Sequence, residues 1–334
     1  MRILYIGQLS PGGTCFDRMR SLQRLGHEVT GFDVSPFQSR FRLLRSAQSR
    51  WYPSLLLNGV NESIVTCAHS LTDVRLVWID KGVWIFPGTL QTLKDRLRCP
   101  LVHYTPDSQL LINRSVHFTR GISLYDHLIS TKTFELDDLG RLGAKHAVFA
   151  QQSYCPVRYL APRPRAEFQC DVGFISDFKP HYGRVITNLV SAVPSTRVWG
   201  SHWLRAAKRG LAPAMVVAGD GLWGADYVDA LSSFKIGLGL LSKYIPEQHT
   251  TRSFEIPAAG TFLLAERTAE HQRFFEEGRE AEFFGSHEEL VSKARFYLTN
   301  DLARRRIAER GRERCHGSGY DTDTVLSKIL GEIG

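Results

Sequence analysis

The sequence predicts an α/β chain built from two doubly wound halves, on three observations. Short apolar runs alternate with helical patterns along most of the chain, as a parallel sheet covered on both faces requires. The 334 residues suffice for two domains, and 43% hydrophobic with 11% aromatic content can fill a core in each. Near the middle, the aperiodic and proline-rich PVRYLAPRPRAEFQ interrupts the alternation and reads as a linker.

The elements follow in order. RILYIGQL is a strand, SPGG a loop, and TCFDRMRSLQRLG a helix with Phe16, Met19, Leu22 and Leu25 on one side and Gly26 as its stop. HEVTGFDV, RLVWID, PLVHYT, HLISTK and HAVFAQ continue the strands, with TLKDRL and ELDDLGRLG as helical links. Beyond the proline-rich stretch, DVGFISDF, TRVWGS, AMVVAG, KIGLGLL and TFLLAE are strands, and YGRVITNLVSAV and YVDALSSF are helices. The end is helical, from HEELVSKARFYLTN through ARRRIAERGRERC to TDTVLSKILGEI. The expected boundaries are 1–160 and 161–320, with a last helix at 321–334 packing back on the first half. Ligands of such sheets lie beyond the carboxyl ends of the strands, so the cleft between the halves is the expected site.

The formal charge is +8, from 42 Lys and Arg against 34 Asp and Glu. That excess fits nucleic acid, an anionic membrane face or a phosphorylated small molecule. Much of it falls in FRLLRSAQSRW and DLARRRIAERGRERC, where apolar residues at helical spacing also fit a solvated amphipathic face. Neither segment has the interleaved aromatics of a single-strand binding groove. MRILYIGQLSPGG reads as a first strand rather than a signal peptide, and no stretch approaches the ~18 uninterrupted apolar residues of a membrane span. Six scattered cysteines without a CxxC pair argue for reduced thiols in the cytoplasm and against a zinc site. Neither GxGxxG nor a P-loop, HExxH or GxSxG motif occurs.

Three stretches carry candidate chemistry. In Ser10-Pro11-Gly12-Gly13-Thr14 the glycines let backbone approach a ligand ahead of a helix N-terminus, or simply make a tight turn. DVGFISDFKPHYGR repeats the strand–loop–helix layout and sets Lys179 and Arg184 where cations could meet a diphosphate. In EQHTTRSFEIPAAGTFLLAE, Thr250, Thr251 and Ser253 signal a helix start, so Glu255 lies in an early turn and Glu247 in the preceding loop. Ionised carboxylates are acceptors only, so this pair could hold two separate sets of sugar hydroxyls, or sit on a solvated helix.

Together, GGTCFDRMRSLQRLGHEVTGFD, VWIDKGVWIFPGTLQTLK with HYTPDSQLLINRSVHF, and the long segment from RVWGSHW through Glu247-x7-Glu255 to ARFYL resemble the CgeB-like (spore maturation protein) glycosyltransferases. That family belongs to the GT-B superfamily, whose two Rossmann-like domains face each other across a cleft. The resemblance implies that Glu255 holds the nucleotide ribose and Glu247 contacts donor-sugar hydroxyls at the catalytic centre. It also implies that Lys179 or Arg184 neutralises the diphosphate, and that Gly12 and Gly13 offer backbone N–H groups. Arg252 and Tyr244 complete the nucleotide-sugar set. The family's Pro-Asp-Asp is Pro106-Asp107-Ser108 here, and Cys15-Phe16 stands where small polar residues are usual.

The implied reaction moves a sugar from a UDP-, GDP- or dTDP-sugar to a glycan, lipid-linked glycan, protein or small molecule. No metal or other cofactor is expected, because Arg and Lys can stabilise the leaving phosphate and no D-x-D acid pair is anticipated. With retention, the departing phosphate oxygen deprotonates the acceptor. With inversion, Asp107 or His103, at the end of PLVHYT, would be the base. The alternatives are a sugar-nucleotide epimerase or hydrolase, and a nucleic-acid-binding or nucleic-acid-modifying protein. The basic segment with Phe37, Phe41 and Leu44 suits either weak association with the inner face of the membrane or a solvated helix.

Overall fold

The runs LVWID and LVHYT are rich in apolar and aromatic residues, and each becomes a strand buried along its whole length in a parallel sheet. The computed structural model describes residues 1–333. They divide into two units, Met1–Gln151 with the chain from Thr322, and Gln152–Asp321. The PVRYLAPRPRAEFQ stretch therefore lies inside the second unit rather than between the two. Its prolines break periodicity without freeing the chain: Tyr159 is buried, the Arg163 N–H donates to Asp229, and the Arg165 N–H donates to Ser233.

The first unit begins β1 (Arg2–Gly7), α1 (Thr14–Arg24), β2 (Glu28–Asp33), α2 (Arg42–Arg50), α3 (Ser54–Ser70) and β3 (Leu76–Asp80). It continues α4 (Pro87–Leu97), β4 (Leu101–Thr105), α5 (Val116–Gly121), β5 (His127–Ser130), α6 (Leu136–Arg141) and β6 (Ala147–Phe149). The strands lie in the order β2-β1-β3-β4-β5-β6, all parallel, so the winding reverses between β1 and β3. Helix α3 was not anticipated from the sequence. Its inward face, Leu57, Val60, Ile64 and Ala68, has helical spacing, but Asn61 sits in the middle of it. That buried amide donates to the Leu57 and Trp84 carbonyls and accepts from the Phe86 N–H and the Thr89 hydroxyl. A polar residue so fully satisfied costs little to bury, and it latches α3 to the start of α4.

The second unit runs β7 (Cys170–Ile175), α7 (Pro180–Val190), β8 (Thr196–Trp199), α8 (Trp203–Ala207), β9 (Val217–Gly219) and α9 (Gly224–Ser233). After β10 (Phe234–Gly239) come α10 (Arg252–Ala258), β11 (Phe262–Glu266), α11 (Ala269–Phe274), β12 (Glu282–Phe284), α12 (His287–Thr299) and α13 (Asp301–Gly317). The sheet order is β12-β11-β10-β7-β8-β9, again parallel, with the reversal between β7 and β10. The basic helix α13 turns Ile307, Ala308, Gly311 and Cys315 inward and leaves Arg305, Arg306 and Arg312 in solvent. Gly311 admits the neighbouring chain: a Cβ there would lie 2.4 Å from the Glu280 carbonyl oxygen.

The last helix, α14 (Thr322–Ile333), belongs to the first unit. Its Val325, Leu326 and Ile329 join Ile3, Tyr5, Leu22 and Trp78 in one apolar cluster. Asp323 in its first turn takes a fork from Arg24 at 2.5 and 2.8 Å and the Ser21 hydroxyl at 2.5 Å. Among the described residues, no helix is long and apolar enough to cross a membrane.

Candidate functional site

Where a doubly wound sheet reverses its order, the loops leaving the two adjacent strands part to opposite faces and leave a crevice. In the second unit those loops follow β7 and β10. The β7 loop carries Lys179, the extended residue that caps α7. The β10 loop runs from Leu240 to Thr251 and carries Tyr244 and Glu247. A cavity of about 510 Å³ opens beside the β10 loop, toward the end of β11, lined by residues 241–248 and by Glu266, Arg267 and Thr268.

Lys179, Tyr244, Glu247, Arg252 and Glu255 are set around these strand ends, each by an identifiable contact. The Lys179 ammonium lies 5.2 Å from the centre of the Tyr182 ring and 5.9 Å from that of Tyr244, so two aromatic faces hold one cation. Arg252 opens α10, donates to the Leu240 carbonyl at 3.3 Å and lies 5.6 Å from the Phe174 ring centre. Its buried Nε has no hydrogen-bond partner among the described residues. Glu247 accepts the Ser242 N–H at 2.9 Å, closing the loop on itself. Glu255, half-buried in the first turn of α10, accepts the Tyr227 hydroxyl at 2.7 Å. Burial raises its carboxyl above the usual range, although Tyr227 and Arg252 pull the other way. Of these candidates only Tyr244 and Glu247 line the cavity; Lys179, Arg252 and Glu255 lie outside its lining, as does Arg184, which is exposed on α7.

Several residues at this site carry no sequence signal. Tyr227 comes from α9, and Tyr159 from the proline-rich stretch. The buried Tyr159 hydroxyl has no partner among the described residues, and its pKa is pushed up by burial and then by the nearby Glu255. Glu266, at the end of β11, accepts the Leu241 N–H at 2.8 Å and pairs with Lys243. Beneath the loop, the Thr250 N–H donates to Ser253 Oγ. That hydroxyl donates to His271 Nε2 at 2.7 Å, and His271 Nδ1 donates to the Glu266 carbonyl at 2.7 Å. A carbonyl only accepts, so the tautomer is fixed, and burial lowers the His271 pKa to about 4. Next to it, His249 Nε2 accepts the Gln152 N–H while Nδ1 donates to Glu270. These two histidines brace the turn that carries both glutamates.

In the first unit, the loops after β1, β3 and β4 hold the remaining candidates. Gly12 has φ of +88°, which a side chain would strain, and Gly13 is the extended cap of α1. Behind them, the buried Arg18 forms a fork with Asp80 at 2.6 and 3.0 Å, and Tyr5 donates to the same carboxylate at 2.7 Å. Cys15 fits because β1 ends in Gly7, where a Cβ would lie 2.5 Å from its sulfur. Asp107 is half exposed and pairs with Lys81 at 2.7 Å; burial alone would raise its pKa, but Lys81 outweighs it and the net shift is downward.

His103 does not suit the role of base. It is 1% exposed, and Nε2 lies 2.9 Å from the Lys81 carbonyl, to which it must donate. Burial between Phe118 and Tyr125 lowers its pKa to about 4. Ser108 donates to the buried carboxylate of Glu135, which comes from another element. Contrary to the expectation of no D-x-D pair, the chain contains one, Asp321-Thr322-Asp323. Its Asp323 is taken up by Arg24 and Ser21.

Residues 184–331 match the model of the glycosyl transferase-like family. That match takes in less than half of the chain, and the fold of the whole is GT-B. Three solved structures align over nearly all of it. Anabaena HepE in complex with UDP-glucose is 15% identical, covers 99% of both chains and superposes with a TM-score of 0.66. Sucrose-phosphate synthase from Thermosynechococcus elongatus is 14% identical at TM-score 0.68, covering 99% of this chain and 98% of its own. The UDP-forming α,α-trehalose-phosphate synthase from Burkholderia vietnamiensis is 10% identical at 0.66, covering 100% and 99%. At these identities the likeness concerns the GT-B fold. No curated protein matches the chain in sequence.

Proposed function

We propose that this chain is a glycosyltransferase that uses a UDP-sugar or a related nucleotide sugar, retains anomeric configuration, needs no metal and works in the cytoplasm. The observation that carries the reading is the gathering of Glu247, Glu255, Arg252, Lys179 and Tyr244 at the reversal point of the second sheet. Donor assignment draws on the GT-B structures solved with UDP and UDP-glucose.

Each residue then has a task. Glu255, backed by Tyr227 and beside the unpartnered Tyr159 hydroxyl, accepts hydrogen bonds from the ribose hydroxyls. Glu247 does the same for donor-sugar hydroxyls. Lys179, the N–H groups at the start of α7 and the Arg252 guanidinium meet the diphosphate, with Arg184 as a second cation. In the reaction the C1–oxygen bond breaks and the nucleoside diphosphate leaves with the electron pair. The acceptor oxygen bonds to C1, and its proton passes to the departing phosphate. Retention needs no protein base, which fits a chain whose two base candidates are engaged, Asp107 with Lys81 and His103 with a carbonyl.

The test is a thermal-shift panel of UDP, GDP, dTDP and their sugars, followed by product analysis. A ligand at ~100 times its dissociation constant adds ~2.7 kcal/mol, so a cognate nucleotide raises the midpoint clearly. A new glycoside then confirms transfer. If no nucleotide shifts the midpoint, the donor-site assignment fails. If the only product is an altered or hydrolysed nucleotide sugar, the epimerase or hydrolase reading replaces it.

A further inference from the structure

Sugar transfer gives no reason for the surface between Phe37 and Leu55. Of the nine residues of α2, only Gln48 is buried, with its amide satisfied by the Ser39 N–H and the Phe37 and Leu56 carbonyls. The large apolar side chains stay outside: Phe41 is 73% exposed, Leu43 85%, Trp51 73% and, on the first turn of α3, Leu55 84%. Arg40, Arg42, Arg45 and Arg50 are exposed among them. From Val34 to Asn61 there is no Asp or Glu. Single exposed apolar residues are ordinary, but five large ones on a short acid-free segment, counting the less exposed Leu44, are not.

We propose that this surface docks the protein on an anionic lipid bilayer, with Phe41, Leu43, Trp51 and Leu55 at the acyl boundary and the arginines at headgroup phosphates. An interfacial helix is recognised by this pairing of apolar and basic side chains. Charge decides between lipid and a second copy of the chain. A self-complementary dimer would set this acid-free basic surface against itself, whereas anionic headgroups neutralise it. Lipid also suits the bare leucines, which offer nothing to nucleic acid. The inference is independent of the donor site and stands if that assignment fails.

The experiment is sedimentation of the full chain with vesicles of phosphatidylcholine alone or of phosphatidylcholine with phosphatidylglycerol. The expected result is pelleting with anionic vesicles, fading with added salt. Each arginine near an anionic surface strengthens partitioning about fivefold, so Arg42→Gln/Arg45→Gln weakens it roughly 25-fold. Leu43→Ser/Trp51→Ser weakens it at least about tenfold. Both pairs are exposed, so thermal midpoint and nucleotide binding stay unchanged. Equal recovery from neutral and anionic vesicles overturns the proposal, as does anionic binding that neither variant weakens. So does a concentration-dependent dimer abolished by Leu43→Ser/Trp51→Ser without vesicle binding, which assigns the surface to a second copy. Salt-sensitive binding to DNA but not to vesicles assigns it to nucleic acid instead.

Discussion

The two glutamates of Glu247-x7-Glu255 sit in different surroundings, and their substitutions should separate. Glu255→Gln is expected to weaken nucleotide binding, and Glu247→Gln chiefly to lower turnover, each by ~1.5 to 3 kcal/mol for a lost hydrogen bond to a charged group. Titration calorimetry with a nucleoside diphosphate, set beside steady-state rates, distinguishes them; two parent-like variants would refute both roles. Glu255 carries a second consequence. Its pKa is raised in the folded state, so between the ordinary value and the raised one the native chain holds a proton that the unfolded chain has released. Stability therefore falls as pH rises through that interval, and Glu255→Gln should raise the apo midpoint at neutral pH while it weakens nucleotide binding. Lys179→Ala and Arg184→Ala are compared by the ratio of nucleoside diphosphate to nucleoside affinity. Lys179, held over two rings, is expected to lower that ratio more than exposed Arg184; an unchanged ratio in both removes the diphosphate role. The glutamates were legible because both lie in one stretch with helix-start signals between them. Tyr227 and Tyr159 were not, because each reaches the site from an element remote in sequence, and Glu266, which closes the same stretch, was not because only the fold brings its strand end to the Leu241 N–H. His103 misled for a related reason. A histidine at a strand end reads as a base, and only the fold shows Nε2 given to the Lys81 carbonyl.

At the scale of elements, Arg18 and Asp80 fix α1 against the end of β3, and with it the loop that carries Gly12 and Gly13. Both charges are buried, so removing one strands the other. Asp80→Leu alone is expected to cost ~3 to 5 kcal/mol in urea unfolding of the first unit, and Arg18→Met/Asp80→Leu to recover most of it. A double variant as unstable as the single would mean that the hydrogen bond from Tyr5, rather than the ion pair, carries the anchorage. The inner strands of the first sheet were readable because strands buried on both faces are mostly apolar along their length. Helix α3 was not, since Asn61 interrupts its inward face and is made tolerable only by four partners contributed by the fold. The proline-rich stretch looked like a linker because proline erases periodicity, whether or not the chain is pinned, as it is here to Asp229 and Ser233.

Across the whole molecule, one buried neutral histidine in each unit sets the response to acid. His103 and His271 are 1% and 0% exposed, and burial lowers both to about 4. Between about pH 6.5 and 4 the unfolded chain takes up protons that the native chain refuses, so stability falls with pH across that window, by up to about 3 kcal/mol for each site. His103→Gln and His271→Gln keep a donor for the carbonyl and should each flatten the acid limb of a melting-temperature profile; a limb that neither variant alters would place the sensitivity elsewhere. Transfer activity is expected to survive EDTA, the phosphate charge being met by Lys and Arg; complete loss restored by magnesium or manganese would show that a metal is needed. The return of α14 to the first unit has a consequence for synthesis. Ile3, Tyr5, Leu22 and Trp78 leave the ribosome early, yet Val325, Leu326 and Ile329 complete their cluster only after the whole second unit has been translated. The nascent first unit thus waits with an apolar groove along α1, and chaperone demand should fall on that half while the second is still being made.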